Sequence, residues 1–449
     1  MCCIGSYLLG LLVIFGNALP KAVLCKMKSL RPKTRRNKPR QKRLGIIGAK
    51  QQKTKNYFFN TGTMMGNEKG RNNKPLDGLM VVAMEQAVAA PLATARLAAA
   101  GARVIKIERP GGDFARNYDD AACGDSSYFA WINQHKESIV LDIKTDADRV
   151  LLDRLISKAD FYVQNFAPGA LARLGLGSKD LQAKHEKLIA CDISGFGESE
   201  AMASMKGYDL LVQAESGLVA TSGGPNEIGR LGVSICDIGA GMTAHAAMLE
   251  ALVARFQHGK GDVLKVSLFD VAAEWMTVPL THNDYGKGAP KRQGLMHPSI
   301  APYGAYETSD GLLTLISIQN EREWVRLCEI VLGAGALGQD PRFASNNLRV
   351  ANRTELENNL QQLVSKMDGP TFRARLADAS IAMGAINEVA DLSNHGALRR
   401  HMVVNSLGVK IDLPAHPVIR SMMDHLGEGQ PAKVPGLDEH GAAIRAEFS

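Results

Sequence analysis

The chain has 449 residues, 45% of them hydrophobic and 22% charged. That is globular composition, long enough for two or three domains, and it excludes a disordered chain, a collagen-like repeat and a disulfide-stapled miniprotein. The net charge of +7 is uneven: residues 1–75 hold 17 Lys and Arg against one acid, Glu68, while the rest holds 36 bases against 45 acids, so nothing outside that leading stretch suggests a nucleic-acid partner.

Residues 4–19 form an apolar run of 16, short for a membrane span and preceded by no Lys or Arg. Residues 21–55 are basic and contain no acid. Three readings stay open for this stretch: a membrane anchor with a basic flank, an organelle-targeting peptide, or an extension upstream of a start at Met64 or Met65. The third is favoured, because globular patterning begins soon after those methionines. Residues 1–70 are therefore set apart from the fold, and no membrane partner is expected.

Beyond them strands and helices alternate. LMVVAME (79–85) reads as a buried strand, and AAPLATARLAAAGA (89–102) as an Ala/Leu-rich helix ended by glycine. RVIKIE (103–108) and SIVLDIK (138–144) are the second and third strands. Residues 146–158 have helical spacing, with Leu151, Leu152, Leu155 and Ile156 on one face. FYVQNF (161–166) and KLIACDIS (187–194) are the fourth and fifth strands. A long helix is expected from Asp237 to about Gln257, and VLKVSLFD (263–270) reads as another strand. Strands separated by such helices imply parallel pairing and a Rossmann-like α/β domain.

Residues 280–300 are turn-rich and basic, and mark a boundary. After it, Ser309-Asp310-Gly311 is a hairpin signal between two apolar runs, and helical stretches follow around 321–333 and 353–367. The expected organisation is a large domain over 72–275, a smaller α+β domain over 290–385, and a return of 386–449 to the large domain.

Several chemistries are excluded. The first strand-to-helix turn, EQAVAAP (85–91), lacks the glycines that let a dinucleotide pyrophosphate approach the backbone. Neither a GxSxG elbow nor a P-loop occurs. The seven cysteines (Cys2, Cys3, Cys25, Cys123, Cys191, Cys236 and Cys328) include no CxxC, so neither zinc nor a disulfide framework is indicated. No metal is expected, the body cysteines read as small buried apolar residues, and a cytoplasmic location is the simplest.

From GARVIKIERPGGDFAR (101–116) onward the sequence resembles the class III CoA-transferase family (CaiB/BaiF). LDG (76–78), SIVLDIK, ADFYVQNFAPGALARLGL (159–176), KGYDLLVQAESGL (206–218) and SICDIGAGM (234–242) match the family's segments in order. The resemblance covers about 72–449. It implies a Rossmann-like large domain built from both chain ends, an inserted small domain and an interlocked homodimer.

It also implies a chemistry. Asp237 matches the family aspartate that attacks an acyl-CoA thioester, giving a mixed anhydride and then an aspartyl-CoA thioester. By itself, Asp237 at the start of a helix reads equally as a cap. Tyr208 and Asp209 match further active-site positions. Related racemases carry His-Asp there, and Tyr208 is a poor base at neutral pH, which favours a transferase over an α-methylacyl-CoA racemase. Arg109, Lys144, Asn165, Phe166, Arg173 and Lys206 match the CoA-binding positions. No cofactor is implied, since the CoA thioester is the substrate, beside a small carboxylic acid. HPSIAPYG (297–304) stands where some members have a polyglycine loop, which makes His297 a candidate for binding the acceptor. Formyl/oxalate-type members carry Gln where this chain has Val88, which argues against oxalate. HPSIAPY resembles instead members that handle C4–C5 dicarboxylates such as succinate, itaconate, mesaconate or citramalate, so the resemblance implies such an acceptor, with an intramolecular CoA shift as an alternative.

Overall fold

The structure is a computed structural model that describes residues 74–198, 201–202, 205–419 and 431–449. The apolar and basic stretches of residues 1–70 lie outside the described residues. Six strands form the principal sheet: β1 (Met80–Met84), β2 (Arg103–Glu108), β3 (Lys136–Val140), β4 (Phe161–Gln164), β5 (Ile189–Ser194) and β6 (Val263–Ser267). They are all parallel, in the order β3-β2-β1-β4-β5-β6. In the register, Val82 of β1 faces Ile105 on one side and Tyr162 on the other. All five residues of β1 are buried, which is why the strand reads as a continuous apolar run rather than an alternation.

The helices α1 (Ala89–Ala99), α2 (Ser127–Ile132), α3 (Asp146–Lys158), α4 (Ser178–Lys184), α5 (Asp209–Glu215), α6 (Leu218–Thr221), α7 (Ile235–His258), α8 (Leu268–Trp275) and α9 (Thr277–Tyr285) follow in chain order. Helix α3 shows how the sequence sets them. Thr145 caps it by accepting the Asp148 N–H, Asp146 and Asp148 suit its positive end, and Lys158 suits its negative end. The four residues of its apolar face, Leu151, Leu152, Leu155 and Ile156, are buried against the sheet, each contributing about 1.5–3 kcal/mol.

Helix α7 buries a stripe of small residues, Gly239, Ala240, Gly241 and Ala244. A Cβ on Gly241 would stand 2.5 Å from the Ala89 carbonyl oxygen of α1, and one on Gly239 2.3 Å from the Trp275 ring. These glycines therefore permit close helix packing behind Asp237 rather than open space around it.

A second, antiparallel sheet has the order β7-β8-β9, from β7 (Tyr303–Glu307), β8 (Leu313–Ser317) and β9 (Ala382–Ala385). Gly311, at φ +78°, turns the expected hairpin. Its core holds Trp324, Phe343, Leu356 and Phe372. A third sheet, β11-β10-β12, comprises β10 (Arg400–Val404), β11 (Lys410–Pro414) and β12 (Ala432–Lys433). Val403, Ala432 and Val434 pack there on Phe129 and Ala130 of α2. Near the chain end, His440 donates its N–H to the Ser138 carbonyl at 3.0 Å, and Ile444 joins the core beside Ile139.

Three expectations are corrected. The run 263–270 is not one strand: Ser267 accepts the Asp270 N–H and caps α8, so β6 ends there. The segment 280–300 is not turn throughout, because α9 continues to Tyr285. Cys123 is exposed at φ +57°, whereas Cys191, Cys236 and Cys328 are buried.

Candidate active site

The strand order reverses between β1 and β4, and a parallel sheet opens a crevice at the carboxyl ends of such strands. A cavity of about 670 Å³ occupies it. Gln86, Ala87 and Val88 reach it from the end of β1, Asn165 and Phe166 from the end of β4, and Ile193 to Gly195 from the end of β5. Lys206, Tyr208, Asp209, Arg230 and Asp237 line it as well.

Asp237 lies in the first turn of α7. Ser234 at the N-cap makes no side-chain cap bond. Asp209 supplies it from another helix: its Oδ1 accepts the Cys236 N–H at 2.7 Å and the Asp237 N–H at 3.3 Å. Burial, and then the neighbouring Asp209 charge, raise the Asp237 carboxyl from 3.8 to about 7. A carboxylate so placed is partly desolvated, which strengthens it as a nucleophile near neutral pH.

The loop that brings Tyr208 over the cavity is set by glycine against glycine. A Cβ on Gly207 would stand 2.3 Å from the Gly195 Cα, so only two glycines let that loop touch the end of β5. Tyr208 itself is 62% exposed. An aromatic wall faces it, where Tyr118 meets Tyr128 edge-on at 5.5 Å and Phe114 at 5.7 Å. Burial, with Asp113, Asp237 and Tyr208 close by, pushes the Tyr118 hydroxyl up to about 12.

The turn after β1 is held from two sides. The Asn165 side chain accepts the Gln86 N–H at 2.9 Å and donates to the Gln86 carbonyl at 2.8 Å. Asp113 accepts the N–H of Ala87, which adopts φ +61°, at 3.2 Å. Asp113 belongs to a buried ionic network. Lys106 donates to it at 2.9 Å, Glu85 takes Lys136 at 2.6 Å, and Glu108 takes Arg116 at 2.7 Å. Burial lowers the Lys136 ammonium to about 8, and the charges of Lys136 and Lys106 hold Glu85 ionised against the burial that opposes it.

The sequence-derived candidates thus divide. Asp237, Tyr208, Asp209, Asn165, Phe166 and Lys206 line one cavity. Arg109, Lys144, Arg173 and His297 do not line it. Arg109 donates to the Gly112 carbonyl at 3.1 Å and its guanidinium is 6.0 Å from the Phe114 ring, at the cavity's edge. Lys144 and Arg173 are exposed, Arg173 on the turn after β4. His297 stacks on Tyr303 in the second unit. Its Nδ1 accepts the Ser299 N–H at 3.1 Å, which assigns the proton to Nε2. Two of the cavity residues also hold backbone. The Asn165 amide is engaged by the β1 turn, and Asp209 acts on the α7 backbone.

Sequence reasoning missed Arg230, Ser234 and the aromatic wall. Arg230 sits in a loop between α6 and α7 with no periodic signal, and Phe114, Tyr118 and Tyr128 are brought together only by the chain's turn after β2. Among the described residues no group of three or more His, Cys, Asp or Glu could hold a metal, and no helix is long and apolar enough to cross a membrane.

Comparison with known proteins bears on this cavity. A family model described as CoA-transferase family III matches residues 76–441. An acetyl-CoA:oxalate CoA-transferase of Acetobacter aceti is 35% identical, over 84% of this chain and 96% of that protein. A succinate–glutarate CoA-transferase of Agrobacterium fabrum is 32% identical, over 83% of this chain and 96% of that protein. The crystal structure of a CAIB/BAIF family protein from Brucella suis superposes with a TM-score of 0.70 at 33% identity, covering 84% of this chain and all of that one.

Proposed function

The chain belongs to CoA-transferase family III, and we propose that it moves CoA from an acyl-CoA to a small dicarboxylic acid with Asp237 as nucleophile. The observation that carries this is the placement of Asp237. It heads α7 at the switch-point cavity, with its carboxyl raised to about 7.

The steps follow from that placement. An Asp237 oxygen attacks the thioester carbonyl, the C–S bond breaks, and CoA thiolate leaves an acyl–aspartyl anhydride. The thiolate then attacks the Asp237 carbonyl carbon, releasing the donor as its carboxylate and leaving an aspartyl-CoA thioester. The acceptor carboxylate attacks that thioester, thiolate leaves again, and its attack on the acceptor's carbonyl gives the new acyl-CoA and free Asp237. Each step exchanges one acyl bond for another, so no external oxidant or base is consumed. Lys206 and Arg230, on the cavity rim, offer cations to the phosphates of CoA, with Arg109 at its edge. The aromatic wall covers the apolar arm.

Acceptor choice falls to C4–C5 dicarboxylates. The apolar Val88 side chain at the cavity, and the Agrobacterium relative named for succinate and glutarate, favour this over oxalate, for which the Acetobacter relative is named. We also propose His297 as the donor to the acceptor's second carboxylate, on the resemblance of HPSIAPYG (297–304) alone, since its ring stacks on Tyr303 and does not line the cavity. We read the assembled enzyme as a homodimer in the cytoplasm. Support for the dimer is that Phe256, Val278 and Tyr285, on α7 and α9, each expose a large apolar side chain that a partner surface would cover.

The test is a mass-spectrometric transfer assay on the full chain. Succinyl-CoA or acetyl-CoA is offered with oxalate, succinate, glutarate, mesaconate and itaconate, and Asp237→Ala runs beside it. A new acyl-CoA that disappears in the variant supports the reading and identifies the acceptor. No transfer, with deuterium entering 2-methylacyl-CoA in D₂O, supports a racemase instead.

A further inference from the structure

Gln213 is fully buried in α5, and no motif reading gave it a role. Its Nε2 donates to Asp209 Oδ2 at 2.7 Å and reaches the Leu231 and Val233 carbonyls at 3.5 and 3.4 Å. Its Oε1 accepts the Leu231 N–H at 3.0 Å. One side-chain amide thus joins three pieces of the cavity rim. They are the Tyr208–Asp209 step, the residue after Arg230, and the residue before Ser234. Asp209, held at Oδ2, turns its Oδ1 to the amides of Cys236 and Asp237. A buried amide that both donates and accepts suits this position, and neither a carboxylate nor an aliphatic chain does the same.

We propose that Gln213 is a positioning residue for Asp237: it fixes Asp209 beneath the first turn of α7, which sets the direction of the nucleophile and the charge beside it, and it couples Arg230 to the same turn. The inference rests on Asp237 being the nucleophile. The titratable and charged groups around Asp237 are Asp209 from α5, Cys236 from α7, Tyr208 from the loop before α5, Tyr118 and Tyr128 from the aromatic wall, and Lys206 and Arg230 on the rim. Among them, Asp209 is the ion held against the α7 backbone.

Two variants of the full chain test it, with kcat and KM for the acyl-CoA measured from pH 5.5 to 9. Gln213→Leu removes the donor at Asp209 Oδ2, so the carboxylate is no longer held toward the α7 amides and turns away. The like charge beside Asp237 is then lost. The expected result is a kcat lower by about tenfold or more and a KM within about threefold. The acid limb of the profile moves to lower pH by about one unit. Gln213→Glu, nearly isosteric, donates to Asp209 when protonated and repels it when ionised. Its kcat relative to the unaltered enzyme is therefore expected to fall about tenfold between pH 6 and pH 8. Unaltered kcat and acid limb in both variants overturn the proposal. So does an equal loss at every pH with an unmoved limb, which is the signature of packing alone. Asp237→Asn in the same assay separates the two readings. Full activity there removes the nucleophile, and the positioning role with it. An inactive Asp237→Asn beside unmoved limbs in the Gln213 variants removes only the positioning role.

Discussion

Asp237→Asn should make the protein more stable above neutral pH while abolishing transfer. The carboxyl is raised from 3.8 to about 7 in the folded chain, by burial first and Asp209 second. Between those values the folded state binds the proton that the unfolded state has lost, so stability falls as pH rises through the window. The folded chain bears about 2 kcal/mol of this penalty at pH 5 and about 4 kcal/mol at pH 8.5. Those figures are upper bounds, because Asp237 is part-buried and solvent relaxes around it. Asparagine keeps the shape and has no charge to desolvate. Urea unfolding of both proteins at pH 5 and pH 8.5 measures the difference. The variant should gain at both values, by about 2–3 kcal/mol more at the higher one. A loss of stability at pH 8.5, or the same change at both, would refute the reasoning. In the proposed role, a nucleophile held in a site that penalises its charge is a case of stability given up for activity.

Two further outcomes follow from packing and charge. Gly241→Ala places a Cβ 2.5 Å from the Ala89 carbonyl oxygen, so α1 and α7 must separate. A destabilisation of about 1–3 kcal/mol is expected in urea, together with reduced transfer, because Val88 leads into α1 and Asp237 lies on α7; a neutral result would mean the crossing yields freely. Lys136→Met leaves Glu85 buried with less compensation and should destabilise by about 3–5 kcal/mol. Adding Glu85→Gln should restore part of that, and strictly additive losses in the double-mutant cycle would show that the pair is not coupled.

Much of the large unit was legible because its signals are local. β2 (Arg103–Glu108) and α3 (Asp146–Lys158) lie where periodicity and caps put them. Strand ends were less legible. At Ser267 an apolar run continues from β6 into α8, and only the hydroxyl cap, not hydrophobicity, marks the change. The motif residues Asp237, Tyr208, Asp209, Asn165, Phe166 and Lys206 share a cavity, but what several of them do was not readable. Asp209 reads as a helix-start carboxylate and is that for α5, yet its side chain caps α7, 26 residues further on at Ile235.

By itself the sequence determined the alternation of strands and helices, the parallel sheet that follows from it, and the aspartate that heads the long helix. These depend on contacts within a few residues, or on the length of chain needed to cross a sheet. Tertiary structure alone decided which residues meet at the switch point. Arg230, the aromatic wall and the Gln213–Asp209 contact come from segments far apart in the chain, and no period or spacing encodes that meeting. It decided also the meaning of Gly239 and Gly241. Glycine in a helix can signal an open site or a tight crossing, and only the position of Ala89 and Trp275 on the neighbouring helices distinguishes the two.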